Sequence, residues 1–579
     1  MLHVIACVTL AVAMVCAGPT AEAQTIQGDL NNDGFVGALD AQIILTHWGE
    51  IVTPGDLSKG DLSFDGTVGI VDLTFLLFNW GQGTIPTPGG KASVGMNLAE
   101  VKFWSREWAF VDAIHSARPW VSTNPNGQPF DTGQPVNTDA KGWPILQPGQ
   151  AVHTLLLTDK PGAYPTGTYV VTWEGPGTLE FGFDATNVQT VGPNRMTFDV
   201  NIATKNGILL RVKDGDARNI HVWMPGFENA QSPFHPLFIQ KLQPFGVIRF
   251  MDWQRTNGST LVSWSQRTTP DCFNQAGDNG VALEFMIELC NELGADAWFC
   301  MPHMADDDFV TQFATMVRDN LDPSLDVYVE WSNEVWNVQF PQGRWVDQNS
   351  AGGYFSADFF RKWAQEASND FAIWKSVFAG GTNPRPEKVI RVAAGQQANV
   401  WVTRRLTEEI LNLGQEFDAI ACGAYFDQRK SKFDASTTVQ DIIDNAVNDT
   451  IPNIYAGYYQ DHGDLAQELT NTLGRTIPLL AYEGGQHYTV HGNAALPYYQ
   501  AFKDVQEYQN TDPNVPDMYD AYLANMQAFD QAGGSLFMAF NYVRKQDQFG
   551  SWGHLRFQDQ SEADAPKYRA LLDFNSGQP

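Results

Sequence analysis

From about residue 232 to the C-terminus, short apolar runs alternate with amphipathic segments, and this rhythm constrains the fold more than any other feature. Residues 245–252, 296–303, 326–334, 389–394, 417–425, 477–483 and 534–541 read as strands, being β-branched or aromatic and bounded by turn residues. Residues 281–293 and 307–320 read as helices, with apolar side chains at helical spacing. Residues 93–98 supply one more strand upstream, followed by an expected helix over 107–118. Eight strands alternating with helices predict an α/β fold, a (β/α)8 TIM barrel, whose functional side chains gather at the C-terminal strand ends.

Between the first two of these strands the character changes. Residues 152–158, 168–173, 178–183, 196–200, 208–212 and 220–223 are short strands at turn-punctuated spacing, so the barrel carries an inserted β-sandwich-like region over about 130–228. That insertion could be a carbohydrate-binding platform or packing alone.

Upstream lies an internal repeat over 28–80. Asp29, Asn31, Asp33 and Asp40 recur after 32 positions as Asp61, Ser63, Asp65 and Asp72, each set leading into an amphipathic helix. Oxygen side chains at loop positions 1, 3, 5 and 12, with Gly34 or Gly66 at position 6, match an EF-hand loop that wraps a hard cation. Calcium (Ca2+) is the expected structural ion, and no cofactor is expected for catalysis. Residues 81–92 read as a linker by their Gly, Pro and Thr content.

The first 23 residues look like a secretory signal peptide: 4–15 form an apolar core and Ala21-Glu22-Ala23 is a cleavage site. The n-region has no Lys or Arg. A secreted, extracellular or cell-surface location follows. No later run reaches the roughly 18 apolar residues of a membrane span. The net charge of −30 argues against nucleic acid and anionic membranes. Cys272, Cys290, Cys300 and Cys422 lack metal-ligand spacing; buried thiols are expected, with one disulfide open.

Two strands end on carboxylates: 326–334 on Asn333-Glu334, and 477–483 on Glu483 with two glycines behind it. Two glutamates about 5–5.5 Å apart are what retaining glycoside hydrolysis requires, one as acid and base, the other as nucleophile. Asp306-Asp307-Asp308 could hold a metal, but carboxylates at a helix start more often interact with its dipole. His487 and His491 lack a third zinc ligand. Trp331 and Trp336 read as core. Trp253 and Trp264, flanking Arg255 and Asn257, are expected on a loop on the substrate side.

On these residues the chain resembles clan A retaining glycoside hydrolases, and the duplicated loop with Asp at position 12 resembles a type I dockerin. The first resemblance implies Glu334 as acid/base and Glu483 as nucleophile. It further implies that Asn333, Arg249, His303, Tyr425 and Trp552 bind substrate or hold the nucleophile. Trp552 lies well beyond the eighth strand, so its match is the loosest. The second resemblance implies a possible cohesin-like or cell-surface partner. The expected function is hydrolysis of O-glycosidic bonds in a β-linked polysaccharide through a covalent glycosyl-enzyme. A non-catalytic carbohydrate-binding protein and a transglycosylase remain alternatives. Mannan, xylan, glucan and algal galactan are all compatible.

Overall fold

The computed structural model describes residues 28, 30, 36, 38–63, 65–78, 93–427 and 433–577. The expected signal peptide, the linker and the first-loop residues Asp29, Asn31 and Asp33 lie outside them. The chain divides into two units, Met1–Thr87 and Pro88–Pro579.

In the first unit the sequence repeat becomes a structural one. Its helices, Ala38–Thr46 and Ile70–Phe78, begin 32 positions apart. Its small core is built from Leu30, Val36, Ile44, Leu62, Val68 and Leu76, three pairs at that same offset. Asp40 and Asp72, the last positions of the two loops, are both buried.

In the second unit eight parallel strands close into a barrel: Ser93–Asn97, Val247–Arg249, Asp296–Met301, Val327–Trp331, Val389–Ala394, Ala419–Phe426, Leu479–Gln486 and Gly534–Ala539. The first pairs with the second (Met96 opposite Ile248) and with the eighth (Val94 opposite Phe537), so no edge remains. Gly95 permits this closure, since a Cβ there would lie 2.3 Å from Met538 Sδ and 2.8 Å from Val247 O.

Side chains alternate along each strand. One set meets the surrounding helices, as Ile248, Phe299, Val329 and Ile420 do. The other fills the barrel interior with Val247, Met251, Trp298, Cys300, Val392, Leu480, Tyr482 and Met538. The second-strand Arg249 occupies an inward position between Val247 and Met251, fully buried. All four described cysteines are unpaired thiols.

The insertion comprises two four-stranded antiparallel sheets. One orders Val121–Thr123, Ala151–Leu156, Ile208–Lys213 and Thr178–Phe183; the other Arg218–Trp223, Gly167–Glu174, Arg195–Val200 and Ala185–Gly192. They share one core in which Tyr169 stacks on Phe198 with centroids 5.0 Å apart.

Two expectations fail here. Residues 107–118 form no α-helix, only a 3-10 turn over Ala113–Ser116. Phe110 and Asp112 instead bridge to Phe234 and Trp223, and the Asp112 carboxylate accepts from Val222 N at 2.8 Å, so tertiary pairing overrides local periodicity. Trp253 is no substrate platform: it is fully buried and parallel to Phe238, 6.1 Å away. Among the described residues no helix is long and apolar enough to cross a membrane.

Candidate active site

Four strand ends bring the expected residues together. Arg249, on the second strand, donates through Nη1 to Glu483 Oε1 at 2.8 Å and to Asn97 Oδ1 at 3.0 Å. Its Nη2 donates to Glu330 Oε2 and to Asn333 Oδ1, both at 2.9 Å. The guanidinium lies 5.5 Å from the Trp298 ring centre and 5.4 Å from that of Tyr482. An isolated buried cation would be very costly; here two carboxylates, two amides and two aromatic faces replace water.

Glu483 belongs to the seventh strand, whose alternation would turn it outward after inward Leu480 and Tyr482. The register slips on both sides, between Cys422 and Gly423 in one neighbour and between Ala481 and Gly484 towards the other. Such a bulge re-aims a side chain, and Glu483 turns into the barrel mouth beside Arg249. The Tyr425 hydroxyl, from the sixth strand, donates to Glu483 Oε2 at 2.8 Å. Gln397 fixes Tyr425 from below, accepting from its N at 3.0 Å and donating to its O at 2.6 Å.

Glu334 comes three residues beyond the fourth strand. Ser332 and Glu334 have φ of 60° and 42°, left-handed values that cost energy in residues with a Cβ. The turn they make points Asn333 at Arg249. Asn333 Nδ2 also donates to Asn257 Oδ1 at 3.1 Å, and Gln342 Nε2 donates to Asn333 O at 2.7 Å. Thus Asn257, on the loop after the second strand, holds the Asn333 turn in place.

The two glutamates are electrostatically unequal. Burial, then the negative charge of Glu483, pushes the Glu334 carboxyl up to about 8, against weak donation from Asn337 and Tyr482. Burial also raises Glu483 above the ordinary value, but there Arg249 and Tyr425 oppose it by stabilising the anion. Of the two, Glu334 is the better proton holder. A third carboxyl, Asp252, is pushed up to about 7 by burial and by the charge of Glu100, with Arg544 opposing.

The remaining expected residues are placed as follows. His303 is buried after the third strand, edge-on to Trp345 at 5.9 Å, and burial holds its imidazole down at about 4. Trp552 packs against the barrel interior with Tyr425. It lies 5.7 Å from His487 and 6.1 Å from Phe540, which are 5.3 Å and 6.2 Å from Tyr425. Asp306 caps its helix through Phe309 N at 2.7 Å, in keeping with a dipole role for that acidic run.

Sequence reasoning missed Asn97, Glu330, Trp298 and Tyr482, and weighed His487 only as a metal ligand. Glu330 accepts from Trp298 Nε1 at 3.0 Å and from Cys300 Sγ at 3.5 Å. The signal was a polar residue at an inward strand position, two before Ser332, which period-2 counting could have flagged.

In the second loop of the N-terminal unit, Asp61 Oδ2 accepts from Gly66 N at 3.0 Å and Gly55 N at 2.9 Å. Asp72 accepts from Ser63 N at 2.8 Å and Gly69 N at 2.7 Å. In the first loop Leu30 N donates to Asp40 Oδ1 at 2.6 Å. Burial disfavours the Asp61 anion, but the Gly55 and Gly66 amides hold its carboxyl below the usual range. Asp65 is exposed and accepts from Thr67 N at 2.8 Å. Among the described residues no three His, Cys, Asp or Glu side chains are gathered as a metal cluster. Buried Asp61 and Asp72 with Ser63 between them are nonetheless the hard oxygen donors that calcium takes.

Residues 27–77 match the dockerin type I domain. No curated protein matches the chain. Similar solved structures include a family 51 alpha-L-arabinofuranosidase from Bifidobacterium longum, 12% identical, with 59% of this chain and 67% of that one covered at a TM-score of 0.36. An endo-1,4-beta-D-mannanase from Thermotoga petrophila is 12% identical, covering 58% and 93% at 0.30. A family 39 glycoside hydrolase from Bacteroides cellulosilyticus is 11% identical, covering 72% and 79% at 0.31. Residues 27–77 thus carry a type I dockerin domain, and the second unit is a TIM barrel.

Proposed function

We propose that the barrel is a retaining glycoside hydrolase acting on a β-linked polysaccharide. The observation that carries this reading is the asymmetry of Glu334 and Glu483 at one barrel mouth: the first meets only the Asn337 amide and the Tyr482 hydroxyl, each at 3.4 Å, while the second accepts from Arg249 and Tyr425. In the first step a Glu483 oxygen attacks the anomeric carbon, and the glycosidic oxygen leaves with the proton of Glu334. In the second, Glu334, now a carboxylate, takes a proton from water as that water displaces Glu483. Asn333 is positioned by Arg249 and Asn257 to bond the sugar hydroxyl beside the reacting carbon. Trp552, Tyr425 and His487 supply ring faces at the nucleophile's side, and His303 lines the opposite wall.

The same proposal makes the protein secreted, with 1–23 as its signal peptide. Asp29, Asn31, Asp33 and Asp40, and Asp61, Ser63, Asp65 and Asp72, would hold two structural calcium ions. The dockerin domain would dock on a cohesin-like partner and place the enzyme on a surface or scaffold.

The test is reducing-end release from plant and algal polysaccharides by the wild type beside Glu483→Gln, with the anomer of the first product followed by NMR. We expect release that the variant abolishes, and a product that keeps the substrate's configuration. Inverted product, or full activity in the variant, overturns the assignment.

A further inference from the structure

The chain is strongly acidic, with a net charge of −30, yet one flank of the barrel mouth is cationic. The loop after the first strand and the loop after the eighth enclose a recess lined by Glu100, Trp104, Arg106, Arg544 and Lys545, three cations to one anion. Glu100 is already paired with Arg255, and Lys102 lies 4.0 Å from it. Asp159, contributed by the inserted region, takes Lys545 at 3.3 Å and Arg106 at 3.7 Å.

Arg544 differs from its neighbours. Among the described residues its guanidinium makes no hydrogen bond and no ion pair. It lies over Trp552, 4.8 Å from the ring centre. Its backbone is pinned, Arg544 N donating to Leu555 O at 3.1 Å, while Gly553 permits close approach: a Cβ there would sit 2.2 Å from Arg544 N. Trp552 connects this cation to Glu483 through His487, Phe540 and Tyr425. Asp252 feels the charges of both Arg544 and Glu483.

A stacked guanidinium keeps its planar fork of donors open, and that fork matches the two oxygens of a carboxylate or sulfate better than a single hydroxyl. A neutral glycan would leave this charge with only Asp252, beyond ion-pairing distance, as counter-charge once water is displaced, at a cost. We propose that Arg544, flanked by Lys545 and Arg106, recognises an anionic substituent, a uronic carboxylate or a sulfate ester, on the sugar chain bound beside Glu483. This rests on the glycoside hydrolase reading and names its substrate class.

The experiment uses the full chain and two substrate pairs: a glucuronic-acid-bearing xylan with its carboxyl-reduced form, and a sulfated galactan with its desulfated form. For one pair we expect kcat/KM at least tenfold higher on the acidic member. Arg544→Gln should bring that ratio to within about threefold of unity, and Arg544→Lys should restore part of it. The pair that responds separates carboxylate from sulfate. Equal rates on both members, or a ratio that Arg544→Gln leaves unchanged, overturns the inference while the hydrolase reading stands. If nothing is cleaved, affinity electrophoresis of the wild type decides. Retardation by an acidic glycan that Arg544→Gln abolishes keeps the anion site and removes the hydrolase reading; no retardation removes both. Melting temperatures of the variants within a few degrees of wild type exclude misfolding as the cause.

Discussion

The ends of the fourth and seventh barrel strands present the same side chain in opposite surroundings. Glu483 accepts from Arg249, which reaches it from the second strand, and from Tyr425 on the adjacent sixth strand. Among the described residues Glu334 has no cation within ion-pairing distance; its side chain meets Asn337 Nδ2 and the Tyr482 hydroxyl, each at 3.4 Å. The lesson is that chemical role is set by donors and burial, not by residue type. Two carboxyls that would titrate alike in water are given unequal hold on a proton by Arg249 and the Tyr425 hydroxyl, which favour the anion of Glu483.

The largest expected effect concerns leaving groups. Glu334→Gln should lower the rate on unactivated glycans by about 10²–10⁴-fold, while a dinitrophenyl glycoside, which needs no proton, keeps most of its first-step rate. Steady-state and burst kinetics on the two substrates measure this. Equal losses on both would erase the distinction between the two strand ends.

Next comes stability. Arg249→Met leaves Glu330 and Glu483 buried without their cation, a loss on the order of 3–5 kcal/mol in urea unfolding. Glu334→Gln removes a buried carboxyl that has no cation partner and should be neutral to stabilising. A stability loss from Glu334→Gln as large as that from Arg249→Met would break the comparison.

The smallest effect sharpens it by pH. The Tyr425 hydroxyl favours the Glu483 anion, so Tyr425→Phe should cost about 1.5–3 kcal/mol of transition-state stabilisation, and it should raise the Glu483 pKa. The acid limb of kcat/KM, where rate is lost as Glu483 takes a proton, then moves to higher pH. The alkaline limb, where rate is lost as pH rises through about 8 and Glu334 gives up its proton, should stay nearly in place. An acid limb that does not move would place the Tyr425 bond outside the titration.

Several elements were legible because local chemistry dictates them. The helix Asp307–Asn320 begins where Asp306 caps it, as its acidic start indicated. The 32-residue repeat foretold the paired core of the N-terminal unit, since identical spacing must bury equivalent side chains. The strand Ala185–Gly192 was missed because nearly all of it is exposed, Val188 and Val191 included, without inward alternation. The residues 107–118 misled because apolar spacing cannot reveal that Phe110 and Asp112 bridge to residues more than a hundred positions away. Trp253 misled because its place after a strand said nothing of the helix that packs over it.

By itself the sequence determined the eight-strand alternation, the duplicated oxygen-rich loop and the two glutamates near strand ends, because periodicity and spacing are properties of the chain. Only the tertiary structure decided which of those side chains face one another. The bulge that turns Glu483 inward, the left-handed turn that presents Glu334 and the buried arginine that distinguishes them all depend on barrel closure. Closure brings together residues more than two hundred positions apart, and no local pattern encodes that meeting.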